Sequence, residues 1–436
     1  MKDIKISIII PTLNRARSLK IAVESVIKQN FPTEQYEILI IDNGSIDNTK
    51  DLSDSLIESH RDYVIHYFLE PEPGAVSGRH RGALEAKGNI LVFIDDDIKA
   101  DKNWLKAIDE AFRYPDVHMV GGRNLPYYEI EPPVWLNEMW SPTPSGGRAC
   151  YYLSLLDLGD EEREMDPTLV WTLNFSIRKK TLFDLGGLHP DALPKHLLRF
   201  RGDGEYGITG KASEKGLKTI YQPKALVYHI IPSERLTVEY FELRQFYQGV
   251  SDSYTHIRVQ KGNIGKEQEL QKSDCGVSRS MPEWDSVYEG YLDRADCNMI
   301  SGWAWNMNQP DAPVYVDIYD DSTLLETVMA NEFRQDLLDA SKGSGEHAFN
   351  YPVPPQLKDG KPHSILVRVS GSNFYLGSMP EQINCEYDPF CEIKYRLWKA
   401  YKKGYRFHQT EVMRDPELLK WVLKEDYWDY RLPQSK

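Results

Sequence analysis

The stretch Asn89–Asp97 reads Asn-Ile-Leu-Val-Phe-Ile-Asp-Asp-Asp and joins an apolar run directly to three adjacent carboxylates. The run is short and rich in β-branched and aromatic residues, which is typical of a buried strand. A parallel strand covered by helices is apolar along most of its length, and open α/β sheets bind ligands at the carboxyl ends of such strands. Three neighbouring acids repel one another, and Mg²⁺ or Mn²⁺ would relieve that repulsion. The alternative is a solvated acidic turn.

The sequence around this stretch alternates between predicted strands and predicted helices. Strands are predicted at Lys5–Ile10, Tyr36–Ile41 and Tyr63–Leu69, with helical spacing of apolar residues between them. Short connections between alternating strands and helices predict a parallel sheet with right-handed crossovers. In such a sheet Thr12, Asp42 and the three acids all follow strands, so they would line one crevice. The sequence has no GxGxxG turn after the first strand and no Walker A lysine loop, which excludes dinucleotide and P-loop sites.

Four motifs in this order resemble the signatures of the family-two glycosyltransferases, over about residues 4 to 260. They are Ile-Ile-Ile-Pro-Thr-Leu-Asn-Arg (8–15), Ile-Ile-Asp-Asn-Gly-Ser-Ile-Asp-Asn-Thr (40–49), Gly-Arg-His-Arg-Gly (78–82) and Phe-Ile-Asp-Asp-Asp (93–97). The resemblance implies the GT-A fold, an α/β fold with a mostly parallel sheet flanked by helices. An all-β sandwich and a short helical tail are expected to follow it.

The resemblance also implies a nucleotide-sugar site. The loop that holds the nucleotide base would be formed by Pro11, Thr12, Asn14 and Arg15. Asp42 would accept the N3–H of a uracil-type base, Arg79 would lie near the base or the diphosphate, and Asp95 and Asp96 would face the ribose. Asp97 would bind Mn²⁺ or Mg²⁺ between the two phosphates of a donor, most simply a UDP-sugar. Leu13 and His80 depart from the family, which more often has an aromatic residue and Asn at these positions.

Three further residues take roles by the same resemblance. Asn174 would contact the donor sugar, and His229, at the end of a predicted strand, would be a further metal ligand. Asp203 would be the catalytic base, with Glu205 as the substitute candidate. An acid before the first turn of a helix is kept ionised by the helix dipole, as a general base must be. For Asp42 and Asp203 the alternative role is helix capping, and for His229 it is a structural one.

These assignments predict an inverting glycosyltransferase, because the motifs contain one base and no second nucleophile. The acceptor would be a hydroxyl of a glycan or of a lipid-linked glycan. The alternatives are a sugar nucleotidyltransferase and a non-catalytic sugar-binding or scaffolding subunit. In the aromatic segment 124–148, Trp135 and Trp140 would either face the acceptor or anchor the loop to the core.

Composition narrows the classes of partner. The formal net charge of -14 argues against nucleic-acid binding, which needs clustered Lys and Arg. Five cysteines without a CxxC pair predict reduced thiols rather than a disulfide framework. No signal peptide is evident and no apolar run approaches the roughly 18 residues of a membrane helix. We therefore expect a cytoplasmic protein, which could also be peripheral on the inner face of the cell membrane.

The pattern predicts four regions: a catalytic domain at 1–262, a polar linker at 263–284, a β-sandwich at 285–385 and a basic, aromatic tail at 386–436. In Gly302-Trp303-Ala304-Trp305, alternation puts both tryptophans on one face, which we expect to be the core. A carbohydrate-binding face and homo-oligomer formation through the sandwich are the alternatives. The segment 391–408 carries basic and aromatic residues at helical spacing, which predicts either contact with an anionic membrane surface or packing on protein.

Overall fold

The computed structural model describes residues 4–188, 204–264, 287–377 and 379–415, together with Leu419 and Val422. The chain forms two compact units, which divide between positions 268 and 269 and again between 399 and 400. The first unit contains the N-terminal region and the chain from Ala400 onward. The second contains the strands predicted to form the sandwich.

The first unit is built on one mixed sheet with helices between its strands. Its strands are β1 (Ile6–Thr12), β2 (Tyr36–Asp42), β3 (Ile65–Leu69), β4 (Ile90–Ile94), β5 (Ile98–Ala100), β6 (Met119–Tyr128), β7 (Ser141–Pro142), β8 (Arg148–Cys150), β9 (Leu155–Asp157), β10 (Arg163–Glu164), β11 (Asn174–Arg178) and β12 (Thr219–Ile231). Its helices are α1 (Ala16–Ile27), α2 (Thr49–Ser59), α3 (Ala75–Glu85), α4 (Trp104–Ala111), α5 (Lys179–Asp184), α6 (Gly204–Glu214) and α7 (Val238–Ile264).

The order β3-β2-β1-β4 is parallel throughout, as the alternation of strands and helices predicts. Every residue of β1, β2 and β4 is buried, because helices cover both faces of these strands. The next strand, β11, runs antiparallel to both β4 and β6. The sheet is therefore of the mixed, mostly parallel GT-A type that the sequence predicts.

Two close approaches fix the geometry around the strand ends. A Cβ on Gly82 of α3 would lie 2.4 Å from the Ile9 side chain, so this helix sits directly on β1. Strand β12 pairs with β5 with His229 opposite Ile98, and the Ile230 N–H donates to the Asp97 carbonyl at 2.8 Å. The pairing places the end of β12 beside the three acids that follow β4.

The second unit is a β-sandwich of two four-stranded antiparallel sheets. Its elements are β13 (Tyr288–Ala295), β14 (Met299–Asn306), β15 (Val314–Asp320), β16 (Thr323–Ala330), β17 (Glu332–Phe333), α8 (Gln335–Asp339), β18 (Glu346–Pro352), β19 (Pro362–Val369) and β20 (Glu381–Asn384). The sheets have the orders β13-β14-β18-β17 and β16-β15-β19-β20. The strand predicted at Phe374–Gly377 is reduced to one bridge between Arg368 and Tyr375.

The prediction that Trp303 and Trp305 face the core was wrong. In β14 the buried residues are Ile300, Gly302 and Ala304, whereas both tryptophans are half-buried. Ile300 and Ala304 belong to the core between the two sheets. A Cβ on Gly302 would meet the Phe349 ring at 3.1 Å, so the even-numbered positions face inward. Alternation had correctly put the two indoles on one face, but that face is the outer one.

The prediction that all the cysteines are reduced was also wrong, because Cys297 and Cys385 form a disulfide. Cys297 lies between β13 and β14, and Cys385 directly follows β20. The bond links two positions that are 88 residues apart in the sequence. Cys150 and Cys391 are buried free thiols.

The basic segment of the tail lies in helix α9 (Cys391–Arg414). Within the second unit, Trp398 stacks on Tyr395 and meets Tyr351 edge-on at 5.4 Å. Within the first unit, the Tyr401 hydroxyl donates to Asp252 and the helix packs against α7 so closely that a Cβ on Gly404 would lie 1.9 Å from the Phe246 carbonyl oxygen. Tyr395, Trp398 and Tyr401 of the segment thus pack on protein, whereas Phe407 is 41% exposed. Among the helices that the structure describes, none combines the length and the apolar character needed to cross a membrane.

Candidate active site

The loops after β1 and β2 are held together by hydrogen bonds. Asn14, whose φ of 55° is left-handed, accepts from the Ile46 N–H at 2.7 Å through Oδ1, and its own N–H donates to Ser45 Oγ at 2.8 Å. Asn tolerates this backbone region better than most residues. Asp42, which is 1% exposed, accepts from the Ser45 N–H and from the Tyr67 hydroxyl, both at 2.8 Å. The predicted base-binding loop and Asp42 are therefore neighbours at one edge of the sheet.

Asp96 is the acid that links β1 to the three carboxylates. It is 3% exposed and accepts from Thr12 Oγ1 at 2.8 Å and from Arg15 Nη1 at 2.7 Å. Arg15 also bonds Asp97 through Nη2 at 2.8 Å. The structure thus brings together four residues that the sequence had placed at the ends of different strands or in the loop after β1.

Asp97 and His229 meet as the sequence predicts. The Asp97 carboxylate is buried, and its Oδ1 lies 3.5 Å from His229 Nε2. Its Oδ2 lies 2.8 Å from Arg235 Nη2 as well as from Arg15. Oδ1 has no hydrogen-bond partner among the residues that the structure describes. A buried carboxylate oxygen without a partner is costly, so a ligand for it is expected here.

The hydrogen bonds of His229 fix its tautomer. Its Nδ1 lies 2.8 Å from the Leu153 carbonyl oxygen, which can only accept, so Nδ1 carries the proton. Nε2 then carries no proton, and its lone pair accepts a hydrogen bond from Arg235 Nη1 at 2.9 Å. Metal-binding histidines are commonly oriented by this kind of bond from the other ring nitrogen. The imidazole is thus prepared to offer Nε2 to a cation.

The pKa values of the two buried acids are shifted in opposite directions. Burial raises the pKa of Asp96, and the neighbouring charge of Asp97 adds to this, while Arg15 acts against it. Burial would also raise the pKa of Asp97, but the guanidinium groups of Arg235 and Arg15, which both contact its Oδ2, hold the pKa of that carboxyl well below its usual range. Asp97 is therefore the carboxylate that stays ionised and is available to a cation.

The donor set of Asp97 and His229 fits a divalent metal ion. A carboxylate oxygen and an imidazole nitrogen suit Mn²⁺ or Mg²⁺ that is completed by water and phosphate oxygens, with the nitrogen favouring Mn²⁺. Within the described ranges no group of three or more His, Cys, Asp and Glu could hold a metal by itself. The phosphates of a ligand would then have to supply part of the shell.

Arg79 and Asp95 form the outer side of this cluster. Arg79 is 6% exposed and its Nη2 lies 2.7 Å from Asp95 Oδ1. The residue sits on α3, whose close packing on β1 brings its side chain to the end of β4. Together with Arg15 and Arg235, a third guanidinium group therefore lies near the three acids.

Asn174 does not contact these carboxylates. Its amide nitrogen donates to Asn124 Oδ1 at 3.0 Å and to the Ala225 carbonyl at 2.8 Å, and its Oδ1 accepts from the Trp104 indole at 2.9 Å. A donor-sugar contact would have to replace one of these buried bonds. Asp203, the predicted base, lies outside the described residues. Glu205, in the first turn of α6, accepts from Thr172 Oγ1 at 3.5 Å.

Arg235 and Tyr67 were missed by the sequence analysis. Arg235 follows His229 by six positions, and the chain turns at Pro232 so that both side chains reach Asp97. A basic residue shortly after a candidate metal-binding histidine was the available signal. The Tyr67 hydroxyl donates a hydrogen bond to Asp42, and burial together with this bond raises the pKa of Tyr67.

In the aromatic segment, Trp135 packs on a buried residue of another element, whereas Trp140 contacts a residue of the segment itself. The Trp135 ring meets Phe241 of α7 edge-on with centroids 5.0 Å apart, and the Arg148 guanidinium lies over the Trp140 ring at 4.8 Å. Tyr127 is 55% exposed. Trp135 therefore anchors the loop to the core, and Tyr127 is an exposed aromatic side chain on its surface.

The similarity of this chain to known proteins lies in the region that contains this site. Residues 7–167 match the family described as Glycosyl transferase family 2. The glycosyltransferase AglE of Haloferax volcanii is 25% identical over 225 residues, which are 51% of this chain and 66% of that protein. The glycosyltransferase GlyG of Streptococcus pneumoniae is 28% identical over 29% of this chain and 41% of its own. The chain thus spans less than two thirds of the length of these two relatives.

A third relative, the glucosyl-dolichyl phosphate glucuronosyltransferase of Haloferax volcanii, is 23% identical over 57% of this chain and 76% of its own. Among solved structures, the mannosyltransferase PcManGT of Pyrobaculum calidifontis, in complex with GDP-Man and Mn²⁺, aligns with 61% of this chain and 66% of its own at 16% identity and a TM-score of 0.41, too low to support an inference. The matched family covers β1 to β4 and the acids that follow them. Through residues 7–167 of its N-terminal unit, the chain is similar to glycosyl transferase family 2.

Proposed function

We propose that this protein is an inverting glycosyltransferase that moves a sugar from a nucleotide-sugar to a hydroxyl of a glycan or lipid-linked glycan. The observation that supports this most is the meeting of Asp97, His229 and Arg235 beside the loop of Thr12 and Arg15. Ionised acid, neutral imidazole and two guanidinium groups suit a diphosphate together with its divalent cation.

Departure of the nucleoside diphosphate is the step that this cluster serves. A divalent metal held by Asp97 and His229 would supply Lewis-acid stabilisation of the leaving diphosphate. Arg235 now lies between the two metal-binding candidates, with contacts of 2.9 Å to His229 and 2.8 Å to Asp97. On ligand binding its guanidinium would turn to a phosphate oxygen and neutralise charge there, with Arg15 beside it.

The nucleotide base would be read at Asp42. Each of its carboxylate oxygens already accepts one hydrogen bond, from the Ser45 N–H and from Tyr67, and each has a further lone pair. Uracil offers an N3–H to such an acceptor, whereas N3 of cytosine has no hydrogen. We therefore propose a UDP-sugar as the donor, with Asp95 and Asp96 toward the ribose.

Asp203 is proposed as the general base that removes the proton from the acceptor hydroxyl. The oxygen would attack the anomeric carbon from the face opposite the leaving diphosphate, so the configuration would invert. Asp203→Asn should lower the rate of transfer by at least about a thousandfold, within the range that a positioned base contributes. Wild-type rates in Asp203→Asn, or a product with retained anomeric configuration by NMR, would exclude this role.

Contact with an anionic membrane surface through 391–408 would depend on charge. Tyr395, Trp398 and Tyr401 of this segment pack on protein, and Lys403, Arg406 and Phe407 are exposed on its helix. Each basic residue near such a surface contributes about 1 kcal/mol, so a weak and salt-sensitive contact is proposed. Flotation with anionic liposomes at low and high salt tests it, and salt-independent binding would contradict it.

The proposed activity is tested by donor turnover. A panel of UDP-, GDP- and CDP-sugars is incubated with the protein and Mn²⁺, and release of nucleoside diphosphate is measured. A UDP-sugar should be turned over in wild type and should not be in Asp97→Asn. Turnover without any divalent cation, or equal turnover by Asp97→Asn, would refute the proposed site.

A further inference from the structure

The outer face of the sheet β13-β14-β18-β17 carries a row of side chains with the character of a sugar platform. We infer that this face, through the juxtaposition of Tyr291 and Trp303, is a binding site for a neutral oligosaccharide. The proposal concerns the second unit alone and goes beyond the transferase reaction. It can therefore fail without affecting the proposal for the N-terminal site.

Strand register places four side chains in one line across the sheet. Tyr291 of β13 is opposite Trp303 of β14, Trp303 is opposite Ala348 of β18, and Ala348 is opposite Glu332 of β17. The row crosses three strand spacings, or about 14 Å. Ala348, the small residue in the row, is only 3% exposed.

The side chains of Tyr291 and Trp303 are accessible to a ligand. The Tyr291 side chain is 60% exposed and the Trp303 side chain is half-buried. Among the described residues, no hydrogen-bond partner of the Trp303 indole N–H and no stacked ring is found. A planar aromatic face next to a free N–H donor can stack on the C–H face of a sugar ring and bind one of its hydroxyls.

Trp305 on the same face has a different role. Its indole N–H donates to the Pro310 carbonyl at 3.0 Å, and the Lys342 ammonium covers its ring at 4.7 Å. Both its polar atom and one ring face are therefore used within the sandwich. The contrast separates a structural tryptophan from the neighbouring one that is left unpartnered.

The polar groups beside the platform favour a neutral, hydroxyl-rich ligand. The Glu332 carboxylate, an acceptor of hydrogen bonds from hydroxyl groups, ends the row and accepts from the Asn350 amide at 2.6 Å. Lys342 and Arg334, which could attract an anion, are already paired with Glu289 and Asp293. Charge complementarity thus disfavours a polyanion, and a hydrocarbon surface would leave these carboxylates desolvated.

The test uses the full chain without nucleotide or metal. Cellohexaose, maltohexaose and chitohexaose are titrated by calorimetry and by tryptophan fluorescence, with heparin as the anionic comparison. The variants are Trp303→Ala and Tyr291→Ala. Tyr315→Ala is the matched control, because Tyr315 is 50% exposed and lies on the other sheet of the same sandwich.

At least one neutral hexasaccharide should bind wild type and Tyr315→Ala equally, and should bind Trp303→Ala and Tyr291→Ala about tenfold or more weakly. If Trp303→Ala does not fold, Tyr291→Ala, a substitution at an exposed position, is compared with wild type and Tyr315→Ala. The proposal is overturned if no neutral hexasaccharide binds, if all four proteins bind alike, or if heparin binds best. It is also overturned if Tyr291→Ala changes the sedimentation coefficient without any saccharide binding, because the face would then join copies of the chain.

Discussion

His229 Nε2 lies 3.5 Å from Asp97 Oδ1, and a backbone hydrogen bond between the neighbouring Ile230 N–H and the Asp97 carbonyl holds the two strands together at this point. The imidazole is oriented by Leu153 on its other nitrogen. The buried acid therefore faces a lone pair rather than a proton, an arrangement that only an added cation or a donor such as Arg235 can satisfy.

Arg235 is expected to contribute to diphosphate affinity. Arg235→Ala removes a charged donor and should weaken UDP binding in the presence of Mn²⁺ by about 10- to 150-fold, the range of a charge-assisted hydrogen bond of 1.5–3 kcal/mol. Arg235→Lys should recover part of the loss, since one positive charge remains but the fork geometry does not. Calorimetric titration with UDP measures both. The exposed Arg113 supplies the control variant Arg113→Ala, and equal losses in Arg113→Ala and Arg235→Ala would refute a local role.

Asp42 is expected to select the base. Asp42→Asn replaces an acceptor oxygen with a donor amide and should reduce the preference for UDP over CDP, mainly by weakening UDP. Tyr67→Phe, which removes one of the two hydrogen bonds to Asp42, should weaken UDP less. The ratio of dissociation constants for UDP and CDP is the measurement. An unchanged ratio in Asp42→Asn would show that the base is read elsewhere.

The buried His408 side chain should make the stability of the first unit depend on pH. The ring is fully buried, its Nδ1 lies 3.1 Å from Ser253 Oγ, and burial lowers the pKa of His408 to about 4. The folded state thus favours the neutral ring, so its contribution is complete above an unfolded pKa of about 6.5 and is lost as pH falls toward 4. A shift of this size corresponds to about 3 kcal/mol.

His408→Gln should therefore flatten the decline in unfolding free energy between pH 6.5 and 4. Denaturant unfolding of wild type and His408→Gln across this range measures the two slopes. The comparison depends on the slope and not on the absolute stability, which the substitution in a packed site will also change. Parallel curves would mean that His408 does not titrate differently in the two states.

The disulfide between Cys297 and Cys385 should stabilise the sandwich. It closes a loop with a sequence separation of 88 residues, and restricting such a loop in the unfolded chain contributes about 2–4 kcal/mol. Reductant should lower the midpoint of unfolding of the second unit in wild type and should have no effect in Cys297→Ser. An identical midpoint with and without reductant in wild type would contradict the bond.

The sequence was sufficient to predict which residues lie together at the centre of the candidate site, because the positions of strand ends in a parallel sheet follow simple rules. Parallel strands end at one edge, so Thr12, Asp42 and Asp97 were predicted to be neighbours, and the strand ending in His229 was recognisable from its apolar run. Arg235 was not predicted, since the turn at Pro232 that folds it back depends on packing around the end of β12.

The β-sandwich shows more clearly which features could not be predicted from the sequence. Alternation grouped Trp303 with Trp305 but could not say which face is inside, because that depends on Gly290 and Gly302 making room for Leu376 and Phe349. The pairing of Cys297 with Cys385 likewise needed the tertiary fold. For Asn174, the motif could not reveal that Trp104, Asn124 and the Ala225 carbonyl occupy its amide.

The central claim is that Asp97 and His229 together hold the cation that binds the diphosphate. It is tested most directly by titrating UDP into wild type, Asp97→Asn and His229→Gln, each with Mn²⁺ and with EDTA. We predict tight binding only in wild type with Mn²⁺, and a loss of at least about tenfold in either variant or in EDTA. Equal affinity of wild type for UDP with Mn²⁺ and with EDTA would contradict the account.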